Sequence, residues 1–297
     1  MTTSTARLEA HHIDVGYAAG GQKTVINNDV SLAIPDKQVT TIIGANGCGK
    51  STLLRGLSRL LPVSKGEVTL DGTPLSDFPA RELAQKISML PQAPITPPGG
   101  TVEDLVARGR HPHQTWLQQW SSSHSEAVEY AMELTGITDL RERPMDSLSG
   151  GQRQRVWISM VLAQDTDIIF LDEPTTYLDL AHSVDVLELV TRLNREQGKT
   201  VVMVLHDLNL AARYSDNLVL MRDGQLIAMG APKDVITVYS LREVFGLESV
   251  VIADPVTGGP PVVPQSPPPS PPPPPPPSPL LVHGASQPPT PALPRAL

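Results

Sequence analysis

Gly44-Ala45-Asn46-Gly47-Cys48-Gly49-Lys50-Ser51 sets glycines, a lysine and a hydroxyl at the spacing that holds phosphate. Glycines let backbone N–H groups close around phosphate oxygens, and the free N–H groups and dipole at a helix start favour the anion. Lys50 is placed to reach β- and γ-phosphates and the Ser51 hydroxyl to hold Mg²⁺. A second set of reactive groups, Asp172-Glu173, follows the apolar run Ile168-Ile169-Phe170-Leu171. An Asp there can hold Mg²⁺, often through water, and the next Glu can polarise an attacking water. His206 ends a third apolar run, Thr200–Leu205, and Ser149-Gly150-Gly151 precedes a helix-like stretch through Val161. The N–H groups of that stretch could cap another phosphate, or Ser149 could be an ordinary N-cap.

These groups need particular elements to position them. Val39-Thr40-Thr41-Ile42-Ile43 reads as a strand entering the first loop, and Thr52–Leu61 as the helix leaving it. Four consecutive apolar residues before Asp172 predict a strand buried on both faces of a parallel sheet. Ligand-contacting residues in such sheets lie at the carboxyl ends of the strands, where Asp172, Glu173 and His206 fall. Residues 6 to about 92 carry strands around the phosphate loop, including Gly66–Leu70 before the turn Asp71-Gly72. Residues 93–147 open with breakers (Pro94, Pro97, Pro98, Gly99, Gly100) and continue with helix-like Thr101–Arg108 and Ser125–Thr135. Alternation of strand and helix then resumes to about residue 255, with short strands Asn217–Met221 and Gln225–Met229 around Asp223-Gly224.

Composition narrows the function. A formal charge of −8 gives no basic footprint for a nucleic-acid partner. No apolar run approaches the ~18 residues of a membrane-spanning helix, and the N-terminus shows no signal-peptide core. One cysteine excludes an intrachain disulfide framework and fits a reducing cytoplasm. That cysteine, Cys48, reads as a spacer in the phosphate loop, where a helix N-terminus tends to lower a thiol pKa. Eighteen of the 31 prolines lie between Pro260 and Pro294, seven of them consecutive at 271–277. Such a segment cannot bury a core, and it is expected to be a passive tail in polyproline II or disordered conformation.

Tyr17, the 44–51 loop, Gln92, Leu148-Ser149-Gly150-Gly151-Gln152, Asp172-Glu173, Asp179 and His206, in this order, resemble an ABC-type ATPase cassette over roughly residues 6–255. The resemblance implies an α/β fold of the P-loop NTPase type: a RecA-like core, an antiparallel β subdomain and an inserted α-helical subdomain at about 93–147. The cassette would occupy 1–259 and the Pro-rich tail 260–297. It further implies that two cassettes close head to tail over two ATP molecules. Tyr17 would stack on adenine, with Gly44, Asn46, Gly47, Cys48, Gly49, Lys50, Ser51 and Thr52 around the phosphates. Gln92 would sense Mg²⁺ and the attacking water, so that Ser51, Gln92 and Asp172 form the metal set and Glu173, His206 and Gln92 the catalytic set. Ser149, Gly150, Gly151 and Gln152 would meet the γ-phosphate bound to the other subunit, and Asp179 would organise the seam.

A single cassette without a membrane segment implies work as a homodimer or alongside separate subunits. Gly109-Arg110-His111-Pro112-His113, Gln152-Arg153-Gln154-Arg155-Val156-Trp157, Thr175–Leu180, His206–Tyr214 and Asp254–Gly258 are similar to importers of ferric siderophores and related haem and cobalamin systems. This implies a multispan permease partner, an extracytoplasmic binding protein and a place on the cytoplasmic face of the membrane. A non-transport regulatory ATPase is the rival. Two departures stand outside the catalytic set: Lys37 where the pattern has a turn glycine, and Ser183 where it has Gln.

Overall fold

The structure is a computed structural model and describes residues 6–19, 22–95, 99–114, 122–176 and 178–265. Strands β1 (Ala6–Ala19) and β2 (Gln22–Pro35) pair antiparallel, and β3 (Val39–Gly44) then leads into helix α1 (Lys50–Leu57). Next come β4 (Val63–Leu70), β5 (Thr73–Pro74), the single turn α2 (Ala80–Leu83) and β6 (Ile87–Leu90). A helical region holds α3 (Val102–Ala107), α4 (Ser122–Thr135) and α5 (Gly150–Ala163). The chain returns to alternation with β7 (Ile168–Asp172), α6 (Leu180–Gln197), β8 (Thr200–Val204), α7 (Leu208–Tyr214), β9 (Asn217–Arg222) and β10 (Gln225–Gly230). It closes with α8 (Pro232–Val235), α9 (Val238–Phe245) and the hairpin β11 (Ser249–Val251) and β12 (Val262–Pro264).

The central sheet runs β10-β9-β3-β8-β7-β6, parallel except for β10. Side chains on these strands alternate between two cores. Val39, Ile43, Ile169, Leu171, Val201, Met203, Leu218 and Leu220 enter one, and Ile42, Ile168, Phe170, Val202, Val204, Val219 and Met221 the other. Both faces are therefore covered, which is why these strands read as continuous apolar runs. The second core also receives α1 and the antiparallel sheet β2-β1-β4-β5, through Leu53, Leu54, Leu57, Ile13, Val15 and Leu70. The first extends into the helical region through Leu105, Val128, Met132 and Trp157, so α5 packs with α3 and α4 rather than apart from them.

Local chemistry sets the ends. Thr101 caps α3 in a reciprocal box with Asp104, which starts that helix one residue inside the expected Thr101–Arg108. Helix α1 begins two residues earlier than expected and stops at Leu57, because Arg59 takes a left-handed φ of 60° and Leu60 and Leu61 both donate back to Arg55 O. Lys37, standing in place of a turn glycine, also has a left-handed φ of 55°. Its N–H donates to Thr200 Oγ1, a contact that fixes the turn despite the strain.

The folded chain runs past the expected cassette boundary at residue 259. Val262 is buried on the first core and exchanges hydrogen bonds with the Asn209 amide on α7, at 2.7 and 3.3 Å. Pro261 and Pro264 do not prevent this, because β12 is an edge strand of a two-stranded ladder. A chain cut after Gly259 loses this strand. It should melt several degrees below one cut after Gln265, since about 2–4 kcal/mol of burial and hydrogen bonding goes with it; equal melting curves would show that β12 is dispensable. Pro97, Pro98, Tyr177 and residues 266–297 lie outside the described residues.

Candidate functional site

Strand order assembles the site. With β3, β8, β7 and β6 side by side and parallel, the segments leaving their carboxyl ends line up along one sheet edge. These are the 44–51 loop, His206, Asp172-Glu173 and Gln92. A cavity of about 520 Å³ opens there, lined by Tyr17, Asn46, Gly47, Gly49, Lys50, Ser51, Thr52, Gln92, Glu173 and His206, with Ile26 beside them. Ten residues named from sequence thus meet in one place.

Within it, Lys50 is buried and donates to the carbonyls of Gly44 and Ala45, both at 3.0 Å, which draws the loop around its ammonium group. Ser51 Oγ donates to Asp172 Oδ1 at 2.7 Å, so two oxygen donors stand together at the loop's helix end. Such a set suits a hard cation completed by water and phosphate oxygens. Among the described residues there is no group of three or more His, Cys, Asp or Glu that could hold a metal without such help.

Glu173 follows β7 with a left-handed φ of 55°, a strained backbone for a residue with a Cβ. Three side chains hold its carboxylate: His206 Nε2 at 2.8 Å, Gln92 Nε2 at 2.7 Å and Thr176 Oγ1 at 2.9 Å. Burial pushes its pKa up, but hydrogen bonds from His206, Thr176 and Gln92 outweigh it, and the net shift is downward. The carboxylate is therefore ionised at neutral pH and able to accept a hydrogen bond from water. A depressed carboxylate contributes stability above its unfolded pKa that is lost as pH falls through the folded one.

Sequence reading missed two groups. Arg55 lies one helical turn beyond Ser51 and donates from Nη2 to Asp172 Oδ2 at 3.2 Å and from Nη1 to the Tyr17 hydroxyl at 3.4 Å. Asp172 is 1% exposed, so Arg55 supplies a counter-charge for a buried anion. The i,i+4 spacing from Ser51 was the available signal. Arg55→Ala should lower the melting temperature of the nucleotide-free protein by several degrees, about 1–3 kcal/mol. If Asp172 takes Mg²⁺ as the resemblance implies, MgATP should narrow the difference; a gap that is the same with and without MgATP would contradict that role. The other missed residue is Thr176, quoted within the 175–180 segment but given no role.

Two assigned residues stand differently from expectation. Cys48 packs its side chain into the core beneath the loop with Ile42 and Leu53, 5% exposed, and does not line the cavity. Burial pushes its thiol pKa up, outweighing Lys50 and the neighbouring backbone N–H groups, where the helix terminus was expected to lower it. Its backbone N–H donates to Ala45 O at 3.3 Å, so Cys48 closes the loop's turn rather than presenting its thiol. Gly44 also lies behind the lining; a Cβ there would sit 2.3 Å from Met221 O and 2.7 Å from Cys48 Sγ.

The signature residues lie outside this cavity. Ser149 caps α5, accepting from Gln152 N at 3.2 Å, while Gln152 Oε1 accepts from Ser149 N at 3.0 Å. Asp179 caps α6 and bonds the backbone and ring of His182, whose ring lies against Gly151. Ser149, Gly150 and Asp179 are exposed on one surface, Leu148 is buried in the first core beneath them, and Gln154 ties α5 back to Pro174 O beside Glu173.

Comparisons with known proteins agree with this geometry. The family model described as ABC transporter matches residues 27–176. The chain is 50% identical over 263 residues to the ferric enterobactin transport ATP-binding protein FepC of Escherichia coli (strain K12), covering 89% of this chain and 96% of that one. It is 48% identical to the petrobactin import ATP-binding protein FpuD of Bacillus anthracis, covering 85% and 91%. A dimeric ATP-binding cassette solved in a post-hydrolysis state with ADP and phosphate superposes with a TM-score of 0.66 at 27% identity, over 75% of this chain and 98% of that one. With the phosphate loop, the carboxylate pair and the signature on one α/β frame, the chain belongs to the ABC transporter family, as one of its ATP-binding, ATP-hydrolysing subunits.

Proposed function

We propose that this chain powers uptake of ferric siderophores, working as a homodimer on the cytoplasmic face of a membrane beside a multispan permease fed by an extracytoplasmic binding protein. The observation that carries the cargo is the 50% identity to a ferric enterobactin protein across nearly the whole of both chains, joined by the petrobactin relative. No helix among the described residues is long and apolar enough to cross a membrane.

In this reading the cavity at the sheet edge takes ATP. Tyr17, half exposed at its mouth, stacks on the adenine, and the loop N–H groups with Lys50 hold the β- and γ-phosphates. Ser51, Asp172 and Gln92 would hold Mg²⁺, which neutralises charge on the phosphate oxygens when bound. Glu173, ionised and steadied by His206, Thr176 and Gln92, accepts a hydrogen bond from the attacking water and aligns it. Ser149 and the N–H groups of Gly150 and Gly151 close over the γ-phosphate from the second copy, which fits their place outside the cavity of their own chain. Hydrolysis removes the shared anion and reopens the seam. Gln92 and the helical region carry that motion to the permease.

The test is uptake of ⁵⁵Fe–siderophore in energised cells lacking this chain. Uptake should be abolished while extracellular chelate binding persists, and growth should recover with excess ferrous salt. Loss of cobalamin or haem uptake with iron uptake intact would reassign the cargo. No change in any of the three would favour a regulatory ATPase instead.

A further inference from the structure

Asn27 lies on β2, outside every motif named above, and is fully buried. Its Nδ2 donates to the carbonyl of Gly49 at 3.2 Å, an oxygen that also accepts the first helical bond of α1 from Leu53 N. Its Oδ1 is buried with no hydrogen-bond partner among the described residues. The amide cannot be turned round, because its oxygen would then face the Gly49 carbonyl oxygen at 3.2 Å, acceptor against acceptor. An orphaned buried acceptor is costly, and a leucine of similar size would avoid that cost. Stability alone therefore does not account for an asparagine here.

The neighbouring residues of β2 do related work. Asn28 N–H donates to Gly224 O at 3.2 Å, and Gly224 N–H donates to Cys48 O at 3.0 Å. Gly224 has φ 78°, and a Cβ on it would lie 1.9 Å from Ile26 O, so the β9–β10 turn is pressed against this stretch of β2. Two successive loop carbonyls, at Cys48 and Gly49, are thus pinned from behind. A trans peptide points its N–H opposite to its C=O. Fixing Cys48 O on Gly224 consequently turns the Gly49 N–H the other way, at a residue that lines the cavity. Fixing Gly49 O anchors the first turn of α1, whose free N–H groups make the anion site.

We propose that Asn27 is a positioning residue for the phosphate loop, kept at a cost in stability because its amide, together with Gly224, holds the loop in its phosphate-binding shape before nucleotide arrives. This rests on the assignment of the 44–51 loop as the phosphate site.

The experiment compares Asn27→Leu with the unaltered protein for melting temperature without nucleotide and for the Kd of MgATP and MgADP by calorimetry. The expected result is a melting temperature unchanged or raised, with both nucleotides bound about tenfold more weakly, the worth of one hydrogen bond to a charge-binding loop. ATP and ADP should weaken alike, since the loop holds the phosphates they share. An unchanged Kd would overturn the proposal. A melting temperature that falls together with affinity would also overturn it, because the residue would then serve the fold. Asn27→Asp, matched in shape but presenting an acceptor to the Gly49 carbonyl, covers the case where the leucine variant does not fold; normal affinity in it would likewise overturn the proposal. Lys50→Ala runs alongside: if that variant binds normally, the assignment of the loop fails, and not the role of Asn27.

Discussion

Glu173→Gln should bind MgATP with near-normal affinity and hydrolyse it roughly 10²–10⁴-fold more slowly, the usual worth of a positioned general base. The exchange removes the charge that the water needs and leaves the size of the side chain unchanged. Gln92 and Thr176 can still donate to the remaining amide oxygen, so the loop should not collapse. His206 loses its carboxylate partner at 2.8 Å, and the nearby histidine is the reason to measure binding as well as rate. Lys50→Ala should behave in the opposite way, weakening nucleotide binding itself. A Glu173→Gln protein that turned over at close to the normal rate would remove Glu173 from its role and leave His206 as the nearest replacement.

Ser149→Asp should abolish hydrolysis without harming the isolated chain. Aspartate caps helices as well as serine, so the bond from Gln152 N is kept and the melting temperature should stay put. The cavity proposed for ATP does not include Ser149, so the Kd for ATP in dilute solution should not change. What changes is the charge presented to a γ-phosphate on a second copy. Two like charges about 4 Å apart at an effective dielectric near 20 repel by about 4 kcal/mol, on the order of a thousand-fold in the population of the closed state. An ordinary N-cap with no phosphate to meet would tolerate the change, so full activity would contradict the assignment.

Much of the site was legible in the sequence because its chemistry depends on local spacing. Glycines and Lys50 mark the loop, and the unbroken apolar run before Asp172 marks a strand buried on both faces whose carboxyl end faces ligand. What stayed hidden depended on tertiary position. Nothing local says that Cys48 turns inward, since the outcome is decided by the core beneath the loop. Arg55 and Asp172 are far apart in sequence and meet only because α1 packs across β7. Asn27 sits on a strand of the antiparallel sheet, and its partner Gly49 belongs to a different layer. The strand β12 was masked by composition, because Val262 and Val263 stand among prolines whose abundance argues against any core.

The central claim is that ATP is held between two copies of this chain, each supplying what the other lacks. The most direct measurement is the molar mass of Glu173→Gln by size-exclusion chromatography with light scattering, with and without MgATP. The expected result is the 31.9 kDa of one chain without nucleotide and twice that mass with MgATP, the shift disappearing when Ser149→Asp is added. A protein that binds MgATP at full occupancy and keeps the mass of a single chain would contradict it.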